Sequence, residues 1–257
     1  MTVGDPFDFV GGADDVGVVC IHGFTGSPYE MRYLGQALAA DGMSVRGPAL
    51  PGHNTSLDDL DGTRWEDWAG AVEAEVRMMC DRHRRVAVVG QSLGGLLALH
   101  VAAALGDRLS AVVSLAAPLW LDGLGGRVAR WLTSPHQTTR ERVLRWAPRL
   151  PKLGGSDVLD AAAKAENPSY RAVPTRALGE LLAFMPVVDA ELPQIAAPLL
   201  VIHGSHDHTA PVDCALRIAH RARARRLRIL PRSYHLIAID VERDLVAAEV
   251  RTFIRKN

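Results

Sequence analysis

The chain of 257 residues is poor in cysteine, with only Cys20, Cys80 and Cys214. An odd, sparse and widely spaced set excludes a disulfide framework and a cysteine-rich metal knuckle, and is typical of a reducing compartment. An excess of charge of one sign is also missing, since 29 Lys and Arg residues balance 29 Asp and Glu residues. A net charge of zero excludes the overall positive field of a dedicated nucleic-acid-binding protein.

Long hydrophobic runs are absent as well. No stretch of the sequence reaches the roughly 18 apolar residues that a membrane-spanning helix needs. Residues 1–8 have neither the basic nor the apolar region of a secretory signal peptide. We therefore expect a cytoplasmic protein without integral membrane association. The hydrophobic share of 48% and the charged share of 23% are those of an ordinary globular chain.

What the sequence does contain is an alternation of short apolar runs with longer segments of helical period. Six runs are rich in Val, Leu and Ile, namely Gly17–Ile21, Ser44–Arg46, Val86–Val89, Ala111–Leu115, Leu199–Ile202 and Leu227–Leu230. Apolar runs without polar alternation are typical of strands buried on both faces. Alternating strands and helices predict an α/β fold, with a mostly parallel sheet of six or more strands flanked by helices.

The first helix carries a start signal of its own. Ser27-Pro28-Tyr29-Glu30 has the pattern of a capping box, with Pro at the first helical position and Glu at the third. We expect this helix to run to Ala40. Four more helices are predicted, over about Arg64–Arg82, Ser92–Leu105, Val212–Arg221 and Asp240–Ile254.

One segment interrupts the alternation. Residues 119–191 contain no strand-like run, are rich in Gly and Pro, and carry three of the five tryptophans. We expect them to form a helical cap or lid inserted into a core made of residues 1–118 and 192–257. Seven Arg or Lys residues lie between Arg127 and Lys152. A solvent-facing lid is the favoured interpretation, and transient contact of the cap with a lipid surface is the alternative.

The motif Gly-Gln-Ser-Leu-Gly at 90–94 lies between the predicted strand Val86–Val89 and a predicted helix. This is the context of a nucleophile elbow, in which a sharp, strained turn lifts the serine hydroxyl clear of the sheet. The helix that follows directs its N-terminal amides toward the same point. Ser92 is therefore the candidate nucleophile.

A serine nucleophile needs a base that an acid orients. Asp207 follows the strand Leu199–Ile202, and His235 follows the strand Leu227–Leu230. The carboxyl ends of parallel strands meet at one edge of a sheet, so these side chains are expected to lie near Ser92. Asp213 and Asp240 stay open as alternative acids, although each also suits a helix start.

The loop His22-Gly-Phe-Thr-Gly directly follows the first of the six predicted strands. We expect its Phe24 N–H, together with the N–H of Leu93, to form an oxyanion hole. His22 is interpreted as a structural residue that holds this loop by hydrogen bonds.

At these residues the chain resembles the α/β-hydrolase superfamily, and more narrowly bacterial carboxylesterases and monoacylglycerol lipases. The shared motifs are the loop at 22–28, Gly-His at 52–53, the elbow at 90–95, Asp207, and Ser-Tyr-His with Asp240 at 233–240; weaker ones are Gly-Ser-Asp at 155–157 and Tyr-x-x-x-Pro-Thr at 170–175. The resemblance implies an α/β-hydrolase fold and ester hydrolysis through an acyl-enzyme, with Ser92, Asp207, His235, Phe24 and Leu93 in the roles given above.

The resemblance further implies short- to medium-chain acyl esters or monoacylglycerols as small-molecule substrates, with Leu119 and Ile237 among the expected pocket residues. Other reactions of a Ser-His-Asp triad remain alternatives: carbon–carbon bond hydrolysis, thioester hydrolysis, cofactor-free haloperoxidation and acyl transfer. A non-catalytic ligand receptor and a lipid-surface binding protein are further alternatives. The sequence leaves the oligomeric state open.

A metal site is disfavoured. His203, His206 and His208 surround Asp207, but the spacing of a metallo-hydrolase motif needs another histidine at position 205, where this chain has Ser. We therefore expect neither a metal ion nor an organic cofactor.

Overall fold

The computed structural model describes residues 4–12, 15–122, 146–152 and 154–257. A seven-stranded sheet forms its centre. The strands of this sheet are β1 (Phe7–Phe9), β2 (Val16–Ile21), β3 (Ser44–Gly47), β4 (Arg85–Gln91), β5 (Ala111–Leu115), β8 (Leu199–Gly204) and β9 (Arg226–Leu230). Their order is β1-β3-β2-β4-β5-β8-β9, and only β1 runs antiparallel to its neighbour. Two further strands, β6 (Arg149–Pro151) and β7 (Ala172–Pro174), pair antiparallel outside it.

The described helices are α1 (Tyr29–Ala40), α2 (Leu57–Asp61), α3 (Trp65–Arg82), α4 (Leu93–Leu105), α5 (Ala161–Glu166), α6 (Thr175–Glu191), α7 (Val212–Arg221) and α8 (Arg243–Lys256). Within the described parts of the chain, no helix combines the length and the apolar character needed to cross a membrane.

The predicted α/β fold with a mostly parallel sheet is confirmed, and all six predicted strands are present. Continuous apolar runs identified these strands because helices cover both faces of the sheet. In β2, Val19 and Ile21 join one hydrophobic layer, whereas Val18 and Cys20 join the other. The first layer contains side chains of α3, α4, α6 and α7, and the second contains those of α1 and α8.

Three short strands were not predicted. β1 has only three residues, which is too few to show a period of two, and it adds to the edge of the sheet through β3. β6 and β7 lie in the segment where no strand was expected, so that part of the prediction is wrong. Their pairing joins residues 149–151 to residues 172–174, a contact that local periodicity does not reveal.

The prediction of a capping box at the start of α1 is wrong. Pro28 is the N-cap residue and no side chain caps the helix. The Ser27 hydroxyl has no hydrogen-bond partner among the described residues. The carboxylate of Glu30 instead accepts a hydrogen bond from the Gly23 N–H, at 3.0 Å. A tertiary contact has therefore replaced the local one.

The predicted division into core and cap remains a prediction, since residues 123–145 lie outside the described residues. Helix α6 belongs to the cap segment by sequence, yet it packs against α3 and α4. Its residues Leu178, Phe184 and Val188 are part of the same hydrophobic cluster as the core strands. Helix α6 thus anchors the cap segment to the sheet domain.

Candidate active site

Ser92 lies in the sharp turn between β4 and α4. Its backbone has φ 56° and ψ −118°, a sparsely populated conformation for a residue with a side chain. Two glycines make this turn sterically feasible. A Cβ at Gly90 would overlap the carbonyl oxygen of Gly94, and a Cβ at Gly94 would overlap that of Ile21. The spacing of the motif is therefore a steric requirement of the turn.

Hydrogen bonds connect Ser92, His235 and Asp207. The Ser92 hydroxyl lies 2.8 Å from His235 Nε2, and His235 Nδ1 lies 2.7 Å from Asp207 Oδ2. These distances are those of well-formed hydrogen bonds. The structure thus brings together three residues that are 28 to 143 positions apart in sequence.

The charges around Asp207 and His235 favour an ionised Asp207 carboxylate and a basic His235 imidazole. Burial alone would raise the pKa of Asp207, but His235 and His203 beside it hold that pKa well below its ordinary value. Burial would likewise lower the pKa of His235, whereas the Asp207 carboxylate, with help from Asp157 and Glu30, raises it. The Asp207 carboxylate can therefore only accept, so the Nδ1–H of His235 is the donor and Nε2 faces Ser92.

Asp207 is held firmly by its own loop. Its Oδ1 accepts hydrogen bonds from the N–H groups of Thr209, at 2.8 Å, and Ala210, at 2.7 Å. On the other side, His203 Nε2 lies 3.1 Å from Asp207 Oδ2 and 3.0 Å from the Ala210 carbonyl oxygen. Since both neighbours are acceptors, the proton of His203 is on Nε2. The side chain of Asp207 is fully buried, so its orientation is set by these contacts.

The structure places the two alternative acids elsewhere. Asp213 is exposed in the first turn of α7. Asp240 is buried, and its Oδ2 accepts a hydrogen bond from the Tyr234 N–H, at 2.7 Å. Its Oδ1 accepts from the N–H groups of Leu159 and Asp160. Asp240 therefore holds the loop that carries His235 and ties it to the cap segment.

The residues predicted to donate to the oxyanion, Leu93 and Phe24, both belong to segments next to Ser92 in the structure. Leu93 is the first residue of α4, where backbone N–H groups have no acceptor within the helix. Phe24 lines the cavity in front of Ser92. His22 is buried; its Nδ1 lies 2.9 Å from the Gly23 carbonyl oxygen, and its Nε2 accepts from the Leu50 N–H. Burial lowers the pKa of His22 to about 4, so a neutral ring holds the loop.

A cavity of about 770 Å³ opens onto Ser92 and His235. Much of its described wall is apolar, formed by Phe24, Leu121, Leu150, Val173, Leu178 and Leu181. Charged side chains from three parts of the chain also reach it, namely Glu30, Lys152, Asp157 and Lys164. The cavity thus offers both an apolar surface and a polar one next to the hydroxyl of Ser92.

The two predicted pocket residues do not line this cavity. Ile237 is fully buried in the hydrophobic layer of α1 and α8, and its neighbour Leu236 faces the cavity instead. Leu119 packs into the opposite layer, whereas Pro118 and Leu121 reach the wall. Both segments contain bends or turns rather than strands, so the sequence did not reveal which of their residues face the cavity.

Asp157, which the sequence analysis noted only as part of a weak motif, connects the cap segment to the loops that carry Asp207 and His235. Its carboxylate accepts hydrogen bonds from the His208 N–H, at 3.0 Å, and from the Thr209 hydroxyl, at 3.1 Å. Its carbonyl oxygen accepts from the N–H groups of His235 and Leu236. A single residue therefore holds the loop of Asp207 and the loop of His235.

An Asp157→Asn variant is expected to move the acidic limb of the kcat/KM profile to lower pH. The Asp157 carboxylate helps to raise the pKa of His235, so removing its charge keeps the imidazole neutral, and therefore basic, at lower pH. We expect kcat/KM at pH 7 to fall only about three- to tenfold, because one charged hydrogen-bond acceptor is weakened. Asp160→Asn, in the same segment, is the control and should leave the limb in place. If the acidic limb of the kcat/KM profile stayed at the same pH in the Asp157→Asn variant, the electrostatic effect of Asp157 on His235 would be contradicted.

The histidines near Asp207 show no arrangement for a metal. His208 Nδ1 contacts Asp157, and His206 Nδ1 contacts the Ser205 hydroxyl. Among residues 4–12, 15–122, 146–152 and 154–257, no group of three or more His, Cys, Asp or Glu side chains could hold a metal ion.

Comparison with known proteins gives consistent results. A family model, Hydrolase_4, described as Serine aminopeptidase, S33, matches residues 13–242. The thermostable monoacylglycerol lipase of Bacillus sp. (strain H-257) is 30% identical over 249 residues, which is 94% of this chain and 91% of the lipase. The carboxylesterase of Bacillus subtilis (strain 168) is 26% identical over 254 residues, covering 98% and 96% of the two chains.

Among solved structures, one from work on LipS and LipT, two metagenome-derived lipolytic enzymes, aligns with a TM-score of 0.87 and 27% identity. The alignment covers 99% of this chain and 98% of that one. The resemblance deduced from the motifs is thereby confirmed. The chain belongs to the Serine aminopeptidase, S33 family and has the α/β-hydrolase fold.

Proposed function

We propose that this chain cleaves short- to medium-chain acyl esters and monoacylglycerols through an acyl-enzyme formed on Ser92. The coarser prediction, a serine hydrolase of carboxylic esters, is confirmed by its full-length relatives, a monoacylglycerol lipase and a carboxylesterase. The observation that carries the proposal is the hydrogen-bonded chain from Ser92 through His235 to Asp207, which opens onto a largely apolar cavity.

In the proposed mechanism the Ser92 hydroxyl attacks the ester carbonyl while His235 Nε2 takes its proton. Asp207 holds the imidazole in the required tautomer and stabilises its charged form. The N–H groups of Phe24 and Leu93 stabilise the tetrahedral oxyanion. His235 then protonates the leaving alcohol, and water repeats the sequence on the acyl-enzyme. No step needs a metal or an organic cofactor.

The cavity supports the proposed substrate class. Leu178 and Leu181 of α6, together with Phe24, offer an apolar surface against which an acyl chain gains free energy by leaving water. A volume of about 770 Å³ is within the usual range of small-molecule sites, roughly 300–1,000 Å³. The proposed partner is thus a small ester. Cytoplasmic location and transient contact of the cap with lipid surfaces stay predictions.

The test is a substrate series with the wild-type chain. We expect p-nitrophenyl esters from acetate to palmitate to show a kcat/KM optimum at short to medium chain length, and monolauroylglycerol to be hydrolysed. Aminoacyl p-nitroanilides, peptidase substrates suggested by the family description, serve as the control and should react far more slowly. No hydrolysis of any ester, or faster cleavage of the anilides, would reject the proposal. A diketone substrate tests the carbon–carbon hydrolase alternative.

A further inference from the structure

Glu30 is a buried carboxylate directly behind the loop that carries Phe24. It is the second residue of α1, and only 2% of its surface is exposed. Its Oε2 accepts a hydrogen bond from the Gly23 N–H, at 3.0 Å. Gly23 precedes Phe24, so this bond fixes the peptide next to the proposed oxyanion donor. A capping role, which the sequence suggested, is excluded by the absence of any side-chain cap on α1.

The loop is built around this carboxylate. A Cβ at Gly26 would overlap the carboxylate of Glu30, so a larger residue there would displace that carboxylate. A Cβ at Gly23 would lie 3.1 Å from Glu30 Oε2 and 3.3 Å from the Cβ of Ser92. Glu30 and the nucleophile therefore approach the same point of the loop from two sides. The Gly26 N–H donates a hydrogen bond to the Gly23 carbonyl oxygen and closes the turn Gly23–Gly26. The carboxylate of Glu30 fills the space inside this turn.

A negative charge at this place opposes catalysis unless it is balanced. The tetrahedral intermediate gathers negative charge on the oxygen next to Phe24 and Leu93, and a nearby carboxylate raises its energy. Burial raises the pKa of Glu30 above its ordinary value, and the Gly23 N–H, the positive charge of Lys152 and a hydrogen bond from Asn167 offset part of that rise. The charge of Lys152 is thus part of the electrostatics of the loop.

Lys152 approaches from the cap segment. It follows β6, lines the cavity, and is one of only three lysines in the chain. Burial lowers the pKa of its ammonium, and the carboxylate of Glu30 raises it. Each of the two groups therefore favours the charged form of the other. Without Lys152, the buried Glu30 carboxylate would lack this compensation, which is costly in a buried site.

We propose that Glu30 is a positioning residue for the oxyanion loop and that Lys152, supplied by the cap segment, is its counter-charge. The inference rests on the proposed ester hydrolysis at Ser92. Glu30 holds the Gly23–Phe24 peptide, and Lys152 prevents the Glu30 charge from acting on the oxyanion. The cap segment thereby contributes to the chemistry through a positive charge that lines the same cavity as Glu30.

The test compares Glu30→Ala, Glu30→Gln, Lys152→Met and the double variant Glu30→Gln/Lys152→Met on p-nitrophenyl butyrate. Glu30→Ala should lower kcat about 10- to 100-fold with KM within about threefold, because the loop loses its support. Glu30→Gln should keep kcat within about fivefold of wild type, since its amide oxygen still accepts from Gly23. Lys152→Met should lower kcat about tenfold, and the double variant should return to the level of Glu30→Gln.

Glu66→Gln and Glu66→Ala are the matched controls, because Glu66 is the second residue of α3 but is exposed. Thermal unfolding identifies variants that fail to fold. If Glu30→Ala does not fold, the inference is tested by the double-mutant cycle of Glu30→Gln and Lys152→Met. A folded Glu30→Ala variant with kcat within twofold of wild type would overturn the positioning role. If the losses in kcat of the two single variants were additive in the double variant, the role of Lys152 as counter-charge would be overturned.

Labelling of Ser92 by an uncharged fluorophosphonate separates this inference from the proposed function. If the wild-type chain is labelled but hydrolyses no ester, the proposed substrate class fails. The labelling rates of the variants still test the loop, because this reaction also places negative charge in the oxyanion hole. We expect the same order of rates as for kcat, and equal rates in all variants would reject the inference.

Discussion

A Ser92→Ala variant is expected to hydrolyse p-nitrophenyl butyrate about 10⁴- to 10⁶-fold more slowly than the wild-type chain. Alanine removes the only atom of this residue that can attack a carbonyl, while the cavity and the loop of Phe24 remain. The residual rate should reflect binding and the oxyanion donors alone. Steady-state kinetics together with single-turnover acylation of the wild type would measure the difference.

The loss should not come from unfolding. The variant keeps a Cβ at the strained backbone position and loses only its hydrogen bond to His235. Its thermal midpoint should therefore remain within a few degrees of the wild type. Ser205→Ala is a suitable control, since Ser205 is exposed and also bonds to a histidine, His206. Hydrolysis by the Ser92 variant at the wild-type rate would reject Ser92 as the nucleophile, whereas no hydrolysis by the wild-type chain would favour a role as receptor or lipid-surface binding protein.

An Asp207→Asn variant is expected to lose about 10⁴-fold in kcat, close to the effect of removing the acid from other triads. The contacts of Asp207 decide how the new side chain is oriented. The N–H groups of Thr209 and Ala210 both point at Oδ1, so the amide oxygen must occupy this place. The amide nitrogen then faces His235 Nδ1 and donates to it.

This orientation imposes the wrong tautomer on the base. With Nδ1 accepting, the proton of His235 stays on Nε2, which faces the Ser92 hydroxyl and cannot take its proton. The amide nitrogen also meets the Nε2–H of His203, an unfavourable pair of donors. We therefore expect some loss of stability as well as of activity.

The measurement is the pH dependence of kcat/KM. Because Asp207 raises the pKa of His235, the neutral amide should shift the acidic limb to lower pH while the rate falls at every pH. Asp213→Asn, at the exposed alternative acid, is the matched control and should behave as wild type. Equal effects of the two substitutions would contradict the assignment of Asp207 as the acid.

Sequence reasoning identified the proposed triad because each member has a local signal. Ser92 is flanked by the two glycines that its turn requires, and Asp207 and His235 each follow a strand. Parallel topology brings these strand ends to one edge, so the convergence could be deduced without coordinates. The choice of Asp207 over Asp213 and Asp240 was open until the structure placed its carboxylate 2.7 Å from His235.

Glu30 and Asp157 were not assigned to the site because their local patterns have simpler explanations. Glu30 matches a capping box, and Asp157 belongs to a short Gly-Ser-Asp motif in the cap segment. Their roles depend on contacts with Gly23 and His208, which come from other parts of the chain. The direction of Leu236 and Ile237 was hidden for the same reason, since they lie in a turn that is held by Asp157 and Gln91 from other parts of the chain.

The sequence by itself determined the α/β architecture, the nucleophile turn and the set of residues from which a Ser-His-Asp chain could form. These features follow from hydrophobic periodicity and from steric limits within a few residues. Only the tertiary structure decided which acid reaches His235, which side chains line the cavity, and which charges of the cap segment approach the oxyanion loop. Those outcomes depend on distances between segments far apart in the chain, which form only when the sheet, its helices and the cap segment pack together.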